Sequence, residues 1–143
     1  MAKGLPGAKA GYLNWDIAED RERILRREMP SSNPPRAFEN LIASHLLKWV
    51  HFEQDTQGRD VELRYFRDVD GREVDFVVVE RGRPLVMVEA KWSDADVDRG
   101  IRYLKERFRS AAAWQVSAKG TKDFVTPDGI RVAPALELLR TLV

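Results

Sequence analysis

Two acidic residues and a lysine border two apolar segments of the sequence. Asp75 directly precedes Phe76–Val79, and Glu89 directly follows Leu85–Val88, with Lys91 two positions further along. Successive side chains of a β-strand alternate between its faces, so Glu89 and Lys91 share a face if their segment is a strand. Carboxylates beside such apolar runs favour a built site over ordinary solvated surface residues.

The two segments form a predicted β-hairpin across residues 81–84, Arg-Gly-Arg-Pro. A hairpin symmetric about Gly82 gives three pairs: Val79 with Leu85, Val77 with Met87, and Asp75 with Glu89. Directly opposed residues have Cβ atoms about 4.5–5.5 Å apart, and two carboxylates at that spacing repel each other. A divalent cation such as Mg²⁺ or Mn²⁺ relieves this repulsion, because it takes carboxylate oxygens, carbonyl oxygens and water as ligands.

The neighbours of this pair supply the other expected parts of a metal site. The backbone carbonyl of Ala90, between Glu89 and Lys91, is an expected extra ligand. Lys91 can orient or help deprotonate a metal-bound water, and it can stabilise charge on a phosphate. Glu39 lies at the margin of the apolar face of a predicted helix and can reach the same ion directly or through water. The alternative is that Glu89 and Lys91 form an ordinary surface ion pair.

The elements that must position these residues are helices and strands in mixed order. A helix over residues 36–50 carries apolar residues at helical spacing, namely Phe38, Leu41, Ile42, His45, Leu46, Trp49 and Val50. The expected strands cover residues 63–67, 73–79, 85–91 and 113–117, and two further helices cover 94–108, capped by Ser93, and 134–142. The order helix, three strands, helix, strand (αβββαβ) predicts an α/β fold with a central mixed sheet flanked by helices.

Composition bounds the classes of protein and partner. The chain has 143 residues, the size of one domain; we expect a loose leader with a short helical segment in residues 1–34 and a single compact domain in 35–143. The formal net charge is +1, so binding to nucleic acid would need a local basic patch. The absence of cysteine fits a cytoplasmic protein. No apolar run approaches the roughly 20 residues needed to cross a bilayer, so no membrane is expected.

Candidate substrate contacts lie in the second predicted helix and the strand after it. Arg102, Lys105 and Arg109 lie away from the apolar stripe of that helix and could follow a phosphate backbone. The alternative is an ordinary solvated helix face, which the net charge of +1 favours. Gln115 lies in the following strand; the resemblance described below makes it a candidate substrate contact, and an ordinary strand-end polar residue is an equal alternative.

Large apolar residues are more numerous than one small sheet layer needs. They are Trp49, Trp114, Leu136, Leu138, Leu139 and Leu142. This surplus predicts a homodimer.

Three blocks of the sequence resemble a known group of proteins. They are FENLIAS at 38–44, GREVDFV at 71–77 and VEAKWS at 88–93. Together they resemble the PD-(D/E)XK nuclease-like superfamily and, within it, a domain of unknown function at the C-terminus of prokaryotic AAA-type ATPases. There are two departures from these patterns. Val74 stands where many members of the superfamily have proline, and the sequence has no G-x-x-x-x-G-K-[ST] motif for binding ATP.

The resemblance implies a restriction-endonuclease-like core and a metal-dependent nuclease. By this resemblance Asp75 and Glu89 bind Mg²⁺ or Mn²⁺, Lys91 assists the attacking water, Glu39 adds a ligand, and Gln115 lies near the substrate. Nucleic acid is then the substrate, DNA before RNA. The alternative function is a non-catalytic module that binds DNA or a partner protein and is associated with an AAA-type ATPase.

Overall fold

The computed structural model describes residues 33–142. The expected leader and short helical segment therefore lie, but for their last two residues, outside the described residues. The helices are α1 (Pro34–Gln57), α2 (Arg99–Arg107) and α3 (Ala135–Thr141). The strands are β1 (Val61–Arg67), β2 (Glu73–Glu80), β3 (Arg83–Lys91), β4 (Ala112–Ser117), β5 (Phe124–Val125) and β6 (Ile130–Pro134).

One six-stranded sheet organises the fold, with spatial order β1-β2-β3-β4-β6-β5. The strands β1, β2 and β3 are successively antiparallel, whereas β4 runs parallel to both β3 and β6, and β5 is antiparallel to β6. The predicted α/β class with a mixed sheet flanked by helices is confirmed. The expected order stopped at one strand after the second helix, and the short strands β5 and β6 were missed.

Both faces of the sheet are covered by apolar side chains. One core cluster joins α1 and α3 to the sheet and includes Ile42, Leu46, Val78 and Leu138. The other cluster packs α2 against the opposite face, with Ile101 and Leu104 beside Val77 of β2. Because neighbouring residues of β2 enter different clusters, this strand is buried on both sides, as its continuous apolar run predicts.

Helix α1 begins where predicted but continues further. The Asn33 side chain accepts a hydrogen bond from the Arg36 backbone N–H at 3.2 Å, and Pro34 and Pro35 occupy the first turn, where no amide donor is needed. The helix stops at Gly58, which adopts a left-handed φ of 64°. The expected end at residue 50 was wrong because residues 51–57 extend the helix into solvent, where no apolar period marks them. Leu41, expected on the buried face, is 47% exposed.

Helix α2 begins at Arg99 and is capped by Asp98, so the expected start at residue 94 with Ser93 as cap was wrong. Asp98 accepts a hydrogen bond from the Gly100 N–H at 3.0 Å. The residues before it form a loop that is tied elsewhere. The Asp94 carboxylate accepts hydrogen bonds from the backbone N–H groups of Thr121 and Lys122, which hold the expected first residue of the helix in this loop.

The β2–β3 hairpin has the predicted register near the candidate site and a different one at its turn. Its turn is Arg81-Gly82, with φ of 53° and 82°, and it pairs Glu80 with Arg83 and Val79 with Pro84. A β-bulge then shifts the register by one residue, which pairs Val78 with Val86, Val77 with Met87 and Phe76 with Val88. The predicted pairing of Val79 with Leu85 was therefore wrong and that of Val77 with Met87 is confirmed, because the bulge compensates for the displaced centre of the turn.

Most of the apolar surplus that predicted a homodimer is used within the chain. Leu138 is buried, and Trp49, Trp114, Leu139 and Leu142 pack, partly buried, against the α1-side core. Leu136 is 55% exposed. The homodimer stays a prediction that now depends on less free apolar surface. Within residues 33–142, no helix is long and apolar enough to span a membrane.

Candidate functional site

A β-bulge in β2 sets the position of Asp75. The register pairs Arg64 with Val77 and Phe66 with Val74. Strand β1 therefore advances by two residues while β2 advances by three, which leaves Asp75 and Phe76 together opposite Tyr65. Bulges re-aim side chains and occur often next to active sites. Here the extra residue lets Val74 and Val77, three apart, enter the same α2-side core.

Asp75 and Glu89 are held together by two hydrogen bonds that cross the hairpin. The Glu89 carboxylate accepts from the Asp75 backbone N–H at 3.1 Å, and the Asp75 carboxylate accepts from the Ala90 N–H at 2.9 Å. Each side chain thus binds the backbone of the opposite strand. The structure brings together these two predicted site residues, and it places Ala90 beside them.

Burial and repulsion keep both carboxyl groups from ionising easily. The pKa of Glu89 is raised to about 8, mainly by burial and then by the negative charges of Asp75 and Asp98, against the opposing charge of Lys91. Burial also raises the pKa of Asp75, to about 6, against the Ala90 hydrogen bond that stabilises its charged form; the charge of Glu39 adds to the rise. A proton or an additional cation at this pair would therefore reduce the repulsion that Lys91 offsets only in part.

Lys91 lies between two carboxylates on the same side of the site. Its ammonium is 3.3 Å from a carboxylate oxygen of Glu89 and 3.1 Å from one of Asp98. Burial alone would lower the pKa of Lys91, but these two carboxylates outweigh that effect and raise it. Lys91 is therefore a cation at neutral pH, fixed by Asp98 as well as by Glu89.

Asp98 is a site residue that the sequence analysis missed. Its side chain contacts Lys91 and caps α2 at the same time, and its charge raises the pKa of Glu89. A usable signal was present, since an aspartate directly before the apolar period of residues 101–108 is a typical helix cap. The apparent cap at Ser93 drew the predicted start of the helix too early.

Gln115 holds the loop that carries Asp98. Its side chain is 2% exposed, and its amide oxygen accepts from the Asp98 backbone N–H at 2.9 Å. Its amide nitrogen donates to the carbonyls of Ala95 and Asp96 at 3.2 and 3.1 Å. Since all three hydrogen bonds go to this loop, Gln115 positions Asp98. Contact between Gln115 and a substrate stays a prediction.

Glu39 lies on the first turns of α1 and is exposed. It lines a cavity of about 440 Å³ between the start of α1 and the strands β1 and β2, and Asp75 lines the same cavity. Arg36 of α1 and Tyr65 and Arg67 of β1 also line this cavity. The charge of Glu39 is close enough to raise the pKa of Asp75, so the helix and the hairpin contribute to one electrostatic site.

The acidic residues do not form a ready-made trio. Across residues 33–142, no three histidine, cysteine or acidic side chains are grouped in a way that could hold a metal ion as they stand. Mg²⁺ usually keeps several waters and binds proteins through one or two carboxylates, so a metal site at Asp75 and Glu89 stays a prediction.

The predicted basic contacts on α2 are largely engaged within the chain. Arg102 forms a salt bridge with Asp128 at 3.1 Å. The Lys105 ammonium donates to the backbone carbonyls of Arg109 and Ala111, both at 2.7 Å, and so closes the end of the helix. Arg109 is exposed. Contact between these residues and a substrate stays a prediction.

A comparison with protein families gives one match. The family described as "Domain of unknown function (DUF4143)" matches residues 36–138, which include all three sequence blocks named above. No curated protein and no solved structure matches the chain. The match covers most of the sequence, from the start of α1 to α3. This chain belongs to the DUF4143 family of domains of unknown function.

Proposed function

We propose that the chain is a metal-dependent nuclease domain of the PD-(D/E)XK type that hydrolyses phosphodiester bonds in nucleic acid, DNA in preference to RNA. One observation carries the proposal: Asp75 and Glu89 are bound to each other's strands beside a charged Lys91, at the ends of two antiparallel strands. A restriction-endonuclease-like core agrees with the order α1-β1-β2-β3-α2-β4 found from residue 34 onwards.

The donor set fits a hard divalent cation. Asp75 and Glu89 offer oxygen ligands only, and their raised pKa values mark a buried pair whose negative charges Lys91 offsets only in part. Glu39 and the carbonyl of Ala90 are the additional proposed ligands. A bound Mg²⁺ or Mn²⁺ would supply Lewis-acid polarisation of a phosphate and a water of lowered pKa.

The chain's own residues have distinct proposed tasks. Lys91, as a cation, orients the attacking water or stabilises charge on the phosphate, and Asp98 holds its ammonium in place. The cavity beside Asp75 is large enough for part of a nucleic-acid backbone, and Arg36 and Arg67 on its rim can pair with phosphates.

Cleavage assays test this function directly. The chain is incubated with single-stranded, duplex and branched DNA and with RNA, in Mg²⁺, in Mn²⁺ and in EDTA. We expect cleavage that EDTA abolishes and that Asp75→Asn or Lys91→Ala reduces by about 10²–10⁴-fold. Asp123→Asn is the control, because Asp123 pairs with Arg131 at the far edge of the sheet. Failure to cut any substrate, or equal rates in all variants, would exclude the proposal.

A second candidate is a non-catalytic module that binds DNA or a partner protein and works with an AAA-type ATPase. Two observations favour it: Lys91 is neutralised by Glu89 and Asp98, and residues 33–142 offer no ready-made acidic trio. Domains of this family typically occur with AAA ATPases. This candidate expects binding of DNA or of the ATPase that is equal in the wild type and in Asp75→Asn.

A further inference from the structure

A tryptophan at the end of β3 is partly exposed beside the candidate site. Trp92 directly follows Lys91, and its side chain is 38% exposed. The other two tryptophans in the described part of the chain, Trp49 and Trp114, pack against the α1-side core. The ring of Trp92 meets that of Phe38 edge-on, with centroids 6.4 Å apart at 71°. Since Phe38 precedes Glu39, Trp92 adjoins both the strand and the helix of the site.

The backbone around Trp92 is fixed by the segment that follows β4. The Trp92 carbonyl accepts a hydrogen bond from the Lys119 N–H at 2.8 Å, and the Lys91 carbonyl accepts one from the Ala118 N–H at 3.1 Å. Asp94 fastens the same segment through the Thr121 and Lys122 amides. The backbone that carries the indole is therefore held by hydrogen bonds between residues 91–94 and 118–122.

Lys119 lies over the indole with its ammonium 5.9 Å from the ring centroid. Its side chain is exposed, and within residues 33–142 it forms no salt bridge. A cation that rests only on an exposed ring is held weakly, so it can leave for a phosphate. Stacking of a nucleobase on an aromatic ring is stronger than such a contact and tolerates any base sequence.

We propose that Trp92 is a stacking platform for an unpaired nucleobase and that Lys119 pairs with the phosphate next to that base. On binding, the Lys119 ammonium leaves the ring for the phosphate, and the base takes its place on the indole. A base inside a duplex has no free face for this contact. The inference rests on the proposed function for its nucleic-acid partner, and it deepens that function by naming single-stranded or locally unpaired nucleic acid as the substrate class.

Binding of a labelled single-stranded oligothymidylate in EDTA, followed by fluorescence anisotropy, tests the platform without cleavage. We expect Trp92→Ala to lose about tenfold or more in affinity and Trp92→Phe to keep most of it, since stacking is worth about 5- to 150-fold per base. Lys119→Ala should reduce the slope of log affinity against log salt by about 0.7, the value for one phosphate of a single strand, while Trp92→Ala leaves the slope unchanged.

A matched control and a second readout keep the outcome clear. Phe52→Ala removes another exposed aromatic, 56% exposed and 14 residues along α1 from Phe38, and should bind as the wild type does. A variant with Trp92 as its sole tryptophan, made by replacing Trp15, Trp49 and Trp114 with Phe, should show quenched emission when saturated with the oligonucleotide. It reports on stacking even if Trp92→Ala does not fold.

Wild-type affinity in folded Trp92→Ala, unquenched Trp92 emission, or equal affinity for duplex and single strand overturns the platform. These results are separate from those of the cleavage test. If the oligonucleotide quenches Trp92 but nothing is cut in Mg²⁺, the nuclease function is excluded and the platform stands. If nucleic acid is cut equally well with and without Trp92, the nuclease function stands and the platform is excluded.

Discussion

Lys91 and Asp98 form an ion pair at the open end of the sheet, 3.1 Å from ammonium to carboxylate. The second oxygen of the same carboxylate accepts the N–H of Gly100 and begins α2. One side chain thus joins the start of a helix to the candidate catalytic lysine. Asp98 therefore has two effects that mutation can distinguish: its oxygen caps α2, and its charge stabilises the Lys91 ammonium.

Replacing Asp98 should separate these two effects. Asn caps helices as well as Asp does, so Asp98→Asn should keep the free energy of unfolding within about 0.5 kcal/mol, whereas Asp98→Ala should lose about 1 kcal/mol. In both variants the pKa of Lys91 should fall, because Asp98 contributes to raising it. Urea titration measures the first effect and NMR titration of the Lys91 side chain the second. An unchanged pKa of Lys91 in Asp98→Asn would contradict the ion pair.

Removal of the Gln115 amide should release the loop that carries Asp98. Gln115→Leu keeps a similar volume but leaves the Asp98 N–H and two carbonyls without their partner, at a cost of about 1–3 kcal/mol. The Asp98 amide should also exchange faster with deuterium. Gln54→Leu is the matched control, since Gln54 is exposed and makes one hydrogen bond, to the Val61 carbonyl. Equal stability of the two variants would show that Gln115 does not hold the loop.

The raised pKa values of Glu89 and Asp75 predict that stability falls as pH rises. Between the ordinary pKa of glutamate, 4.5, and the folded value of about 8, the folded state binds more protons than the unfolded state. The free energy of unfolding in EDTA should therefore be highest below about pH 4.5 as far as these groups are concerned. It should decline towards pH 8, with a slope of about 1.4 kcal/mol per pH unit for each extra proton that the folded state binds.

Glu89→Gln should remove most of this decline, because glutamine keeps an oxygen for the Asp75 N–H and has no charge to bury. Urea unfolding at several pH values provides the measurement. Asp123→Asn, which changes a surface carboxylate paired with Arg131, should keep the wild-type decline. If the free energy of unfolding of the wild type did not change over this pH range, burial would not raise the pKa values of the two carboxyl groups.

Binding of Mn²⁺ should stabilise the folded chain through the same carboxylates. At a concentration of 100 times its Kd, a ligand that binds only the folded state adds about 2.7 kcal/mol to the free energy of unfolding. Asp75→Asn should abolish the gain while keeping an acceptor for the Ala90 N–H, and Lys91→Ala should retain it. Calorimetry of Mn²⁺ binding and melting curves provide the measurements. A wild-type melting temperature indifferent to Mn²⁺ would argue against the metal site.

Gly100→Ala should destabilise the chain although alanine is the better helix former. A Cβ at Gly100 would lie 2.1 Å from the backbone carbonyl oxygen of Glu73, so α2 would have to move away from the start of β2. The expected gain of about 1 kcal/mol from helix propensity should thus become a loss of about 1–3 kcal/mol. Denaturant titration gives the sign. Arg102→Ala, on the exposed side of the same helix, should change stability by about 0.5 kcal/mol or less.

Sequence patterns placed the strands of the site well. Continuous apolar runs fixed β2 and β3, and alternation along a strand put Glu89 and Lys91 on one side, because both signals are local. The hairpin register as far as Phe76 and Val88 agrees with the predicted one for a reason that the sequence hides. The turn is centred half a residue before Gly82, and a bulge at Leu85, between the pairs Val79–Pro84 and Val78–Val86, restores the register.

The loop before α2 shows where local patterns fail. Ser93 and Asp98 are both good caps by residue type. The choice between them rests on Gln115, about twenty residues away in sequence, whose amide ties down the carbonyls of Ala95 and Asp96. No local pattern contains that information, so both the helix start and the part of Asp98 in the site were missed.

The sequence by itself determined the α/β class, the carboxylates beside their apolar strands and the family resemblance, since each depends on residue types at short spacing. Tertiary structure alone decided what surrounds them. It brought Glu39 and Asp75 to one cavity, and it set Asp98 on Lys91. It also left Trp92 exposed at the edge of the site. These relations join segments far apart in the chain, and they form only when the two faces of the sheet are covered and their polar groups must find partners.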